Sequence, residues 1–235
     1  MSDLAINLRE FPDRDSLAKA LASEVAEALR TAIADGGAAT LAVSGGSTPK
    51  LFFHELSQSE LDWESVTVTL VDERWVADTE ERSNAKLVAE HLLWNEAAAA
   101  TFVPLFNGAS APEGALPEIQ QTIADLSGPL TVAVLGMGDD GHTASFFPGG
   151  DRLEDAIDPT GKALVMSMRA TAAIEPRITL TLPVLLAAKK LVLHVEGEKK
   201  REVLDEALSG DDAAKMPIRA VIANAREPLE TVWAP

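Results

Sequence analysis

The chain of 235 residues contains no cysteine, and its basic residues are few. The absence of cysteine excludes disulfides, thiolate catalysis and cysteine-ligated zinc. Its 20 Lys and Arg residues stand against 37 Asp and Glu residues, which gives a formal net charge of −17. A protein of this charge is not expected to bind nucleic acid or an anionic membrane surface. An anionic small substrate would need a site where bases and backbone N–H groups are concentrated locally.

Segments typical of membrane insertion or export are also lacking. No apolar run is long enough to span a bilayer, and the first residues, MSDLAINLREF, have neither the basic nor the apolar region of a secretory signal peptide. We therefore expect a cytoplasmic protein. No repeat, low-complexity tract or linker divides the chain, and 46% hydrophobic with 24% charged residues is typical of a globular protein. We expect residues 1–235 to form a single domain.

Predicted strands alternate with predicted helices along the chain. The clearest helix begins at a cap formed by Asp15 or Ser16 and ends at Gly36. The alternation predicts a mostly parallel sheet covered by helices on both faces, while the short segments 218–223 and 231–233 give no firm assignment. Strands are predicted over residues 4–8, 40–43, 67–71, 102–105, 130–135, 163–168 and 191–195, and further helices over 49–56, 83–92, 116–126, 184–190 and a segment through 203–208. The stretch 177–182 leads into the helix at 184–190.

The strand at 40–43 runs directly into a glycine turn and a helix that starts near Pro49. Such a turn places backbone N–H groups and a helix N-terminus where they favour an anion. The spacing is not that of a Walker P-loop. A turn that only caps the helix, with no ligand, is the alternative interpretation. The residues of the turn are Ser44, Gly45, Gly46, Ser47 and Thr48.

The stretch 135–148, LGMGDDGHTASFFP, follows a strand that is apolar enough to be buried on both faces. Its glycines permit a tight turn, and the turn carries His142, a side chain suited to gain or lose a proton near neutrality. Gly136, Gly138 and Gly141 also match the dinucleotide-binding spacing, but Asp139 and Asp140 would repel a pyrophosphate and no partner strand supplies a ribose-binding acid. A purely structural loop histidine is a further alternative.

Two more predicted strands end in charged residues. Asp72-Glu73-Arg74 follows the strand at 67–71, and Gly197 to Lys200 follows the strand at 191–195. Lys200 lies in the first turn of a helix, where a base is poorly placed for the helix dipole, which indicates a ligand-binding role. The carboxyl ends of parallel strands meet at one edge of the sheet. We therefore expect these residues to converge with the two glycine turns.

These stretches together resemble the 6-phosphogluconolactonase family. The matches run in order across nearly the whole chain, and the GHTAS block is the most specific of them. The wider family includes glucosamine-6-phosphate deaminases and implies a three-layer α/β/α Rossmann-like fold with a mostly parallel sheet. The matching stretches are SGGSTP (44–49), DER (72–74) with Ser83-Asn84, GMGDDGHTASFFPG (136–149), RITLTLP (177–183) and GEKK (197–200).

The resemblance also implies an activity. The implied substrate is 6-phospho-D-glucono-1,5-lactone, a small phosphorylated sugar lactone, which is hydrolysed to 6-phosphogluconate in the oxidative pentose phosphate pathway without a cofactor. His142 corresponds to the general base of the family and Arg74 to an arginine of the substrate pocket. The sequence gives no indication of protein partners. The residues expected to bind the substrate or its phosphate are Ser44, Gly45, Gly46, Ser47, Thr48, Asp72, Gly138 and Lys200, with Arg169 and Arg177 both candidates for a further phosphate contact.

The chemistry of lactone hydrolysis agrees with these residues. Water must lose a proton as it attacks the carbonyl, and histidine is matched to that task. Arg74 or loop N–H groups would stabilise the oxyanion, and neither Thr143 nor Ser145 has an obvious activating base. No metal is expected, because Asp139, Asp140 and His142 lie within one turn with no second histidine nearby.

Departures from the family pattern are small. Ala77 stands where proline is usual, and Phe146 where leucine is commoner. The deaminase branch carries a glutamate near the end of the GHTAS-like block, whereas this chain has Phe147 there, which disfavours a deaminase. A non-catalytic sugar-phosphate sensor is a further alternative, but this chain has no spare length or basic charge for a DNA-binding appendage.

Overall fold

A computed structural model describes residues 5–126 and 128–235. The predicted strand over residues 4–8 begins one residue outside that range, and within it the strand runs from Ile6 to Glu10. The described residues form ten strands, which are β1 (Ile6–Glu10), β2 (Ala39–Val43), β3 (Val66–Leu70), β4 (Asp72–Arg74), β5 (Thr101–Val103), β6 (Val132–Leu135), β7 (Val165–Met168), β8 (Arg177–Leu180), β9 (Lys190–Glu196) and β10 (Leu229–Ala234).

Helices connect most of these strands and flank the sheet. α1 packs on β2, β6 and β10 and against α2, while α7 packs on β9 and against α8. Two short 3₁₀ helices, Trp63–Ser65 and Asn95–Ala99, complete the described secondary structure. The helices are α1 (Arg14–Gly36), α2 (Lys50–Ser57), α3 (Asn84–His91), α4 (Pro112–Ala124), α5 (Leu153–Ala156), α6 (Leu182–Leu186), α7 (Glu198–Leu208) and α8 (Ile218–Asn224).

Seven strands form one parallel sheet in the order β1-β10-β9-β6-β2-β3-β5. Every residue of its central strands β2 and β6 is buried, as expected for a parallel sheet covered on both faces. From β2 the chain proceeds outward through β3 and β5 on one side, and then returns to β6 on the other. The order in which strands are added to the sheet therefore reverses between β2 and β6, and open α/β sheets bind ligands at such a point.

The segment 72–74, predicted only as the charged residues that follow the strand at 67–71, is a strand of a second sheet. β4 pairs antiparallel with β8, and β8 pairs with β7. This pairing places Arg74 opposite Arg177. This strand was not predicted, because its partner lies about a hundred residues further along the chain and no local pattern reveals the pairing.

Helix α1 shows how local sequence sets the ends of an element. Its cap is Asp13, whose carboxylate accepts a hydrogen bond from the backbone N–H of Ser16 at 2.7 Å, and not Asp15 or Ser16 as predicted. At the other end Gly37 adopts φ +78°, a left-handed conformation that glycine adopts at low cost. Its buried residues include Leu17, Leu21, Val25 and Leu29, which form the predicted apolar face.

Two predicted helix boundaries were wrong, each by four residues. α4 begins at Pro112, four residues before the predicted start, because proline suits the first turn of a helix. α6 ends at Leu186, and Lys190 belongs to β9. The unassigned segment 231–233 lies within β10, which pairs with strands on both sides and is buried for most of its length. Within the described residues, no helix is both long enough and apolar enough to cross a membrane.

Candidate active site

A cleft of about 320 Å³ lies at the carboxyl ends of β2 and β6, where the strand order reverses. Arg169 is the one predicted site residue that does not line it. Its guanidinium forms an ion pair with Glu113, with Nη2 3.0 Å from Oε2, and this bond lowers the pKa of Glu113 to about 2. The predicted residues that line the cleft are Ser44, Gly45, Gly46, Ser47, Thr48, Asp72, Arg74, Gly138, His142, Arg177 and Lys200.

The glycine turn after β2, residues 44–48, is fixed to the loop after β6 by two hydrogen bonds of Ser44. Its backbone N–H donates to the carbonyl oxygen of Val134 at 3.0 Å, and its Oγ accepts from the N–H of Gly136 at 3.0 Å. Helix α2 follows with no side chain bonded to its first N–H groups. These N–H groups and the positive end of the helix dipole favour an anion at this end of the cleft.

Gly45 and Gly46 are needed in this turn for different reasons. A Cβ atom on Gly45 would lie 1.8 Å from Oδ1 of Asn84, so only glycine fits there. Gly46 has φ +91°, a backbone angle that residues with a Cβ atom rarely adopt. Asn84 itself is held by its Nδ2, which donates to the carbonyl oxygen of Asp72 at 2.8 Å. The turn is therefore seated directly on the first residue of α3.

The loop after β6, residues 136–142, presents the imidazole of His142. Nδ1 of His142 lies 2.6 Å from Oδ1 of Asp140, and the same oxygen accepts from the backbone N–H of His142 at 3.1 Å. Because an ionised carboxylate only accepts, Nδ1 carries the hydrogen and Nε2 is left as an acceptor. Burial acts to raise the pKa of Asp140, but the hydrogen bond and the charge of His142 outweigh it and lower that pKa.

The position of the His142 ring also restricts which residues can lie around it. A Cβ atom on Gly138 would lie 2.0 Å from Nδ1 of His142, so glycine is required there, and the N–H of Gly138 donates to the carbonyl oxygen of His142 at 2.8 Å. The ring of Phe147 lies 4.5 Å from that of His142, centroid to centroid. The imidazole is thus held on one edge by Asp140 and beside an aromatic ring.

A second carboxylate, that of Asp72, lies buried beside the cleft. Its Oδ2 accepts from Oγ of Ser145 at 2.6 Å and lies 3.7 Å from Nη1 of Arg177. Burial lowers the pKa of Arg177, against the charge of Asp72, which acts to raise it. The guanidinium of Arg177 lies 5.3 Å from the ring centroid of Phe147. Ser145 is therefore bonded to a carboxylate that also faces an arginine, and among the described residues no histidine is hydrogen-bonded to it.

Glu73, the middle residue of the charged stretch after β3, is buried away from the cleft lining. Its carboxylate accepts hydrogen bonds from the backbone N–H groups of Arg74, Asn84 and Ala85 and from Oγ of Ser83. Burial raises the pKa of Glu73, although these backbone hydrogen bonds act to lower it. Glu73 thus satisfies the N-terminus of α3, and of these three residues Asp72 and Arg74 face the cleft.

Among the further residues that line the cleft are Asn84 and His194, which sequence reasoning did not place in the site. Asn84 lay inside a recognised stretch, and its neighbour in sequence, Ser83, caps α3. His194 lies inside an apolar strand, β9, with Nε2 3.0 Å from Oε1 of Glu196. Oδ1 of Asn84 and Nδ1 of His194 are buried and have no hydrogen-bond partner among the described residues. A polar residue inside an apolar strand was the only sequence signal for His194.

Metal ligands are not grouped in this cleft or elsewhere in the described part of the chain, where no cluster of three or more His, Asp and Glu side chains has the arrangement to hold an ion. The cleft instead offers two imidazoles that are each paired with a carboxylate, those of His142 and His194, together with two arginines, a lysine and a set of backbone N–H groups. This combination can accept a proton and bind an anion.

Residues 12–233 match the family described as glucosamine-6-phosphate isomerases/6-phosphogluconolactonase. The chain belongs to this family. It is 53% identical to the 6-phosphogluconolactonase of Rhizobium meliloti (strain 1021), with 99% of this chain and 100% of the relative covered. It is 44% identical to that of Pseudomonas aeruginosa, with 98% and 95% covered. The family predicted from the sequence motifs is confirmed.

Solved structures of the glucosamine-6-phosphate isomerase/6-phosphogluconolactonase family share the fold. The crystal structure of a 6-phosphogluconolactonase from Shewanella baltica OS155 is similar with a TM-score of 0.95 and 40% identity, and 98% of each chain is covered. A monomeric glucosamine-6-phosphate deaminase is similar in fold alone, with a TM-score of 0.79 at 16% identity and 97% of each chain covered. The predicted fold class, a mostly parallel sheet flanked by helices, is confirmed.

Proposed function

We propose that the protein hydrolyses 6-phospho-D-glucono-1,5-lactone to 6-phospho-D-gluconate, a reaction of the oxidative pentose phosphate pathway. One observation carries the proposal: the His142–Asp140 pair shares a cleft with Lys200, Arg177 and the glycine turn 44–48. The pair supplies a base, and the rest supplies a site for a phosphate. The similarity to proteins named 6-phosphogluconolactonase over the full chain supports the same reaction. The expected cytoplasmic location stays a prediction.

In this proposal His142 is the general base. Its Nε2, left as the acceptor by the bond from Nδ1 to Asp140, takes a proton from water as the water oxygen attacks the lactone carbonyl. The carboxylate of Asp140 then stabilises the imidazolium that forms. The proton is later returned to the ring oxygen as the ester bond breaks, which leaves a carboxylic acid and a hydroxyl group, and the acid then loses its proton to the solvent to give the carboxylate. Each step needs only water and side chains of this chain.

Attack on the carbonyl produces an oxyanion, which needs hydrogen-bond donors. Arg74 lines the cleft, and its buried Nε has no partner among the described residues, so it has a donor to offer. Its Nη1 donates to the carbonyl oxygen of Arg82, which holds the guanidinium in place. We assign oxyanion stabilisation to Arg74, with N–H groups of the loop 136–142 as the alternative donors.

The phosphate of the substrate is assigned to the glycine turn 44–48 and Lys200, with Arg177 as the further base. Arg177 is preferred to Arg169 because it lines the cleft, whereas Arg169 is occupied by Glu113 outside it. The buried Nε of Arg177 also has no partner in the described part of the chain. Each charge-assisted bond to a phosphate contributes about 1.5–3 kcal/mol, which outweighs the repulsion from a net charge that salt screens beyond about 8 Å.

The test is the rate at which purified protein opens freshly made 6-phosphogluconolactone, compared with spontaneous hydrolysis in the same buffer. We expect clear acceleration, and a loss of kcat/KM of about 10²-fold or more for unphosphorylated glucono-1,5-lactone, which lacks the phosphate bonds. Acceleration without this distinction would contradict the phosphate site. No acceleration of either lactone would contradict the proposed reaction.

A further inference from the structure

Asp139 joins the loop that carries His142 to the first turn of α7. Its Oδ1 lies 2.6 Å from Nζ of Lys200, and its Oδ2 forms an ion pair with Nζ of Lys199. Hydrogen bonds from the two lysines, of which that from Lys199 has the larger effect, lower the pKa of Asp139 to about 2. Its carboxylate is therefore ionised at neutral pH. A fixed negative charge therefore lies directly on the base assigned to the substrate phosphate.

The two lysines differ in where they lie. Lys200 lines the cleft and its side chain is 24% exposed, whereas Lys199 does not line the cleft and its side chain is 71% exposed. Each lysine is bonded to a different oxygen of Asp139. If Nζ of Lys200 turns toward an anion in the cleft, the bond from Oδ2 to Lys199 still holds the carboxylate at the rim.

We propose that Asp139 is an internal competitor of the substrate phosphate: it occupies Lys200 when the cleft is empty and is retained by Lys199 when a phosphate takes Lys200. This inference rests on the proposed phosphate role of Lys200. It makes Asp139 a residue that sets affinity and selectivity, since a phosphate dianion can displace the carboxylate and an uncharged sugar lactone cannot.

The chemistry of the reaction gives this arrangement a use. Hydrolysis of a lactone creates a carboxylate, so the product carries one more negative charge than the substrate. Because the carboxylate of Asp139 competes for Lys200, it weakens the binding of the substrate and of the product. The product carries more negative charge, so the carboxylate repels it more strongly and weakens its binding by a larger factor. Asp139 is therefore expected to speed release of the product at some cost in affinity for the substrate.

The experiment measures the dissociation constant of 6-phosphogluconate by isothermal titration calorimetry. Asp139→Asn should bind it about three- to tenfold more tightly, the range expected for a partly exposed charge at this distance. Lys199→Ala should bind it more weakly, and in the Asp139→Asn background the same substitution should have a smaller effect. Asp205→Asn is the matched control, because it removes an equal charge and an ion pair, with Arg201, from α7, the helix that carries Lys199 and Lys200; its affinity should equal that of the parent.

A second measurement uses the two lactones. Asp139→Asn should lower KM for the phosphorylated lactone and leave kcat/KM for glucono-1,5-lactone unchanged. Unchanged or weaker binding of 6-phosphogluconate by Asp139→Asn would overturn the inference. Lys200→Ala separates the two levels of the argument. If Lys200→Ala loses affinity while Asp139→Asn does not gain it, only the competitor role fails; if Lys200→Ala binds like the parent, the phosphate role of Lys200 fails and the inference with it.

Discussion

Nδ1 of His142 and Oδ1 of Asp140 lie 2.6 Å apart, although only one residue separates them in the chain. The contact is possible because Gly141 turns the backbone at φ +74° and Gly138 leaves room for the ring. The same carboxylate oxygen accepts from the N–H of His142, so the carboxylate is held at two points. The acid, the base and the turn that joins them thus form one local unit.

Asp140→Asn tests the role of this carboxylate. Asparagine keeps the shape of the side chain but loses the charge that stabilises the imidazolium and holds its tautomer, so kcat should fall by up to about 10⁴-fold, the loss seen when the aspartate of a catalytic His–Asp pair becomes asparagine. KM should change little, because Asp140 does not bind the phosphate. Steady-state kinetics on 6-phosphogluconolactone give the answer. Unaltered kcat in a folded Asp140→Asn protein would remove Asp140 from the mechanism.

The lowered pKa of Asp140 also predicts a dependence of stability on pH. A carboxyl group whose pKa is lowered by folding stabilises the protein above its ordinary value of 3.8 and loses that contribution as pH falls through the folded value. The parent should therefore exceed Asp140→Asn in free energy of unfolding at pH 7, by no more than about 1 kcal/mol because the side chain is 39% exposed.

Urea titrations of both proteins between pH 7 and pH ~3 measure this difference. It should narrow as the pH falls below the ordinary value of 3.8. A difference that stays constant down to the lowest pH at which both proteins fold would show that the ionised carboxylate is not what stabilises the parent.

Gly45→Ala tests the seat of the phosphate turn. The new Cβ would lie 1.8 Å from Oδ1 of Asn84, which is buried and cannot move freely, so the turn must shift. We expect KM for the phosphorylated lactone to rise about tenfold or more, equivalent to one charge-assisted bond. Gly114→Ala is the control, since Gly114 lies in α4 with open space around it and alanine favours a helix by about 1 kcal/mol. Equal kinetics of the two variants would contradict the role of Gly45.

Phe147 predicts which branch of the family the chain represents. Its ring lies against that of His142 at the position where we expect deaminases to carry a glutamate. Without that carboxylate the purified protein should release no ammonia from glucosamine 6-phosphate above background. An enzyme-coupled ammonia assay makes the measurement, and steady release in proportion to protein concentration would refute the assignment.

The site was predictable from sequence where a motif follows a strand directly. The turn 44–48 and His142 are both fixed by local spacing after β2 and β6, and the parallel sheet brings them together. The choice between Arg169 and Arg177 was not predictable. It depends on the antiparallel pairing of β4 with β8 and on Glu113, a residue of α4, and neither relationship is local in sequence.

The strands of the fold were likewise predictable from local sequence patterns, and not where they depend on residues distant in the chain. The strands β2 and β6 are buried throughout and, apart from Thr40, apolar, and they were predicted within one or two residues. β4 was not predicted as a strand because three charged residues carry no strand pattern, and the segment 231–233 of β10 was left unassigned although β10 lies between β1 and β9. The single domain over residues 1–235 stays a prediction.

The most direct test of the proposed mechanism is the kcat of His142→Ala on fresh 6-phosphogluconolactone. His54→Ala is the matched control, because His54 is exposed on α2 and does not line the cleft. If His142 is the general base, its replacement should lower kcat by roughly 10²–10⁴, the usual contribution of acid–base catalysis, with circular dichroism unchanged and His54→Ala fully active. A folded His142→Ala protein that keeps the kcat of the parent would contradict the account.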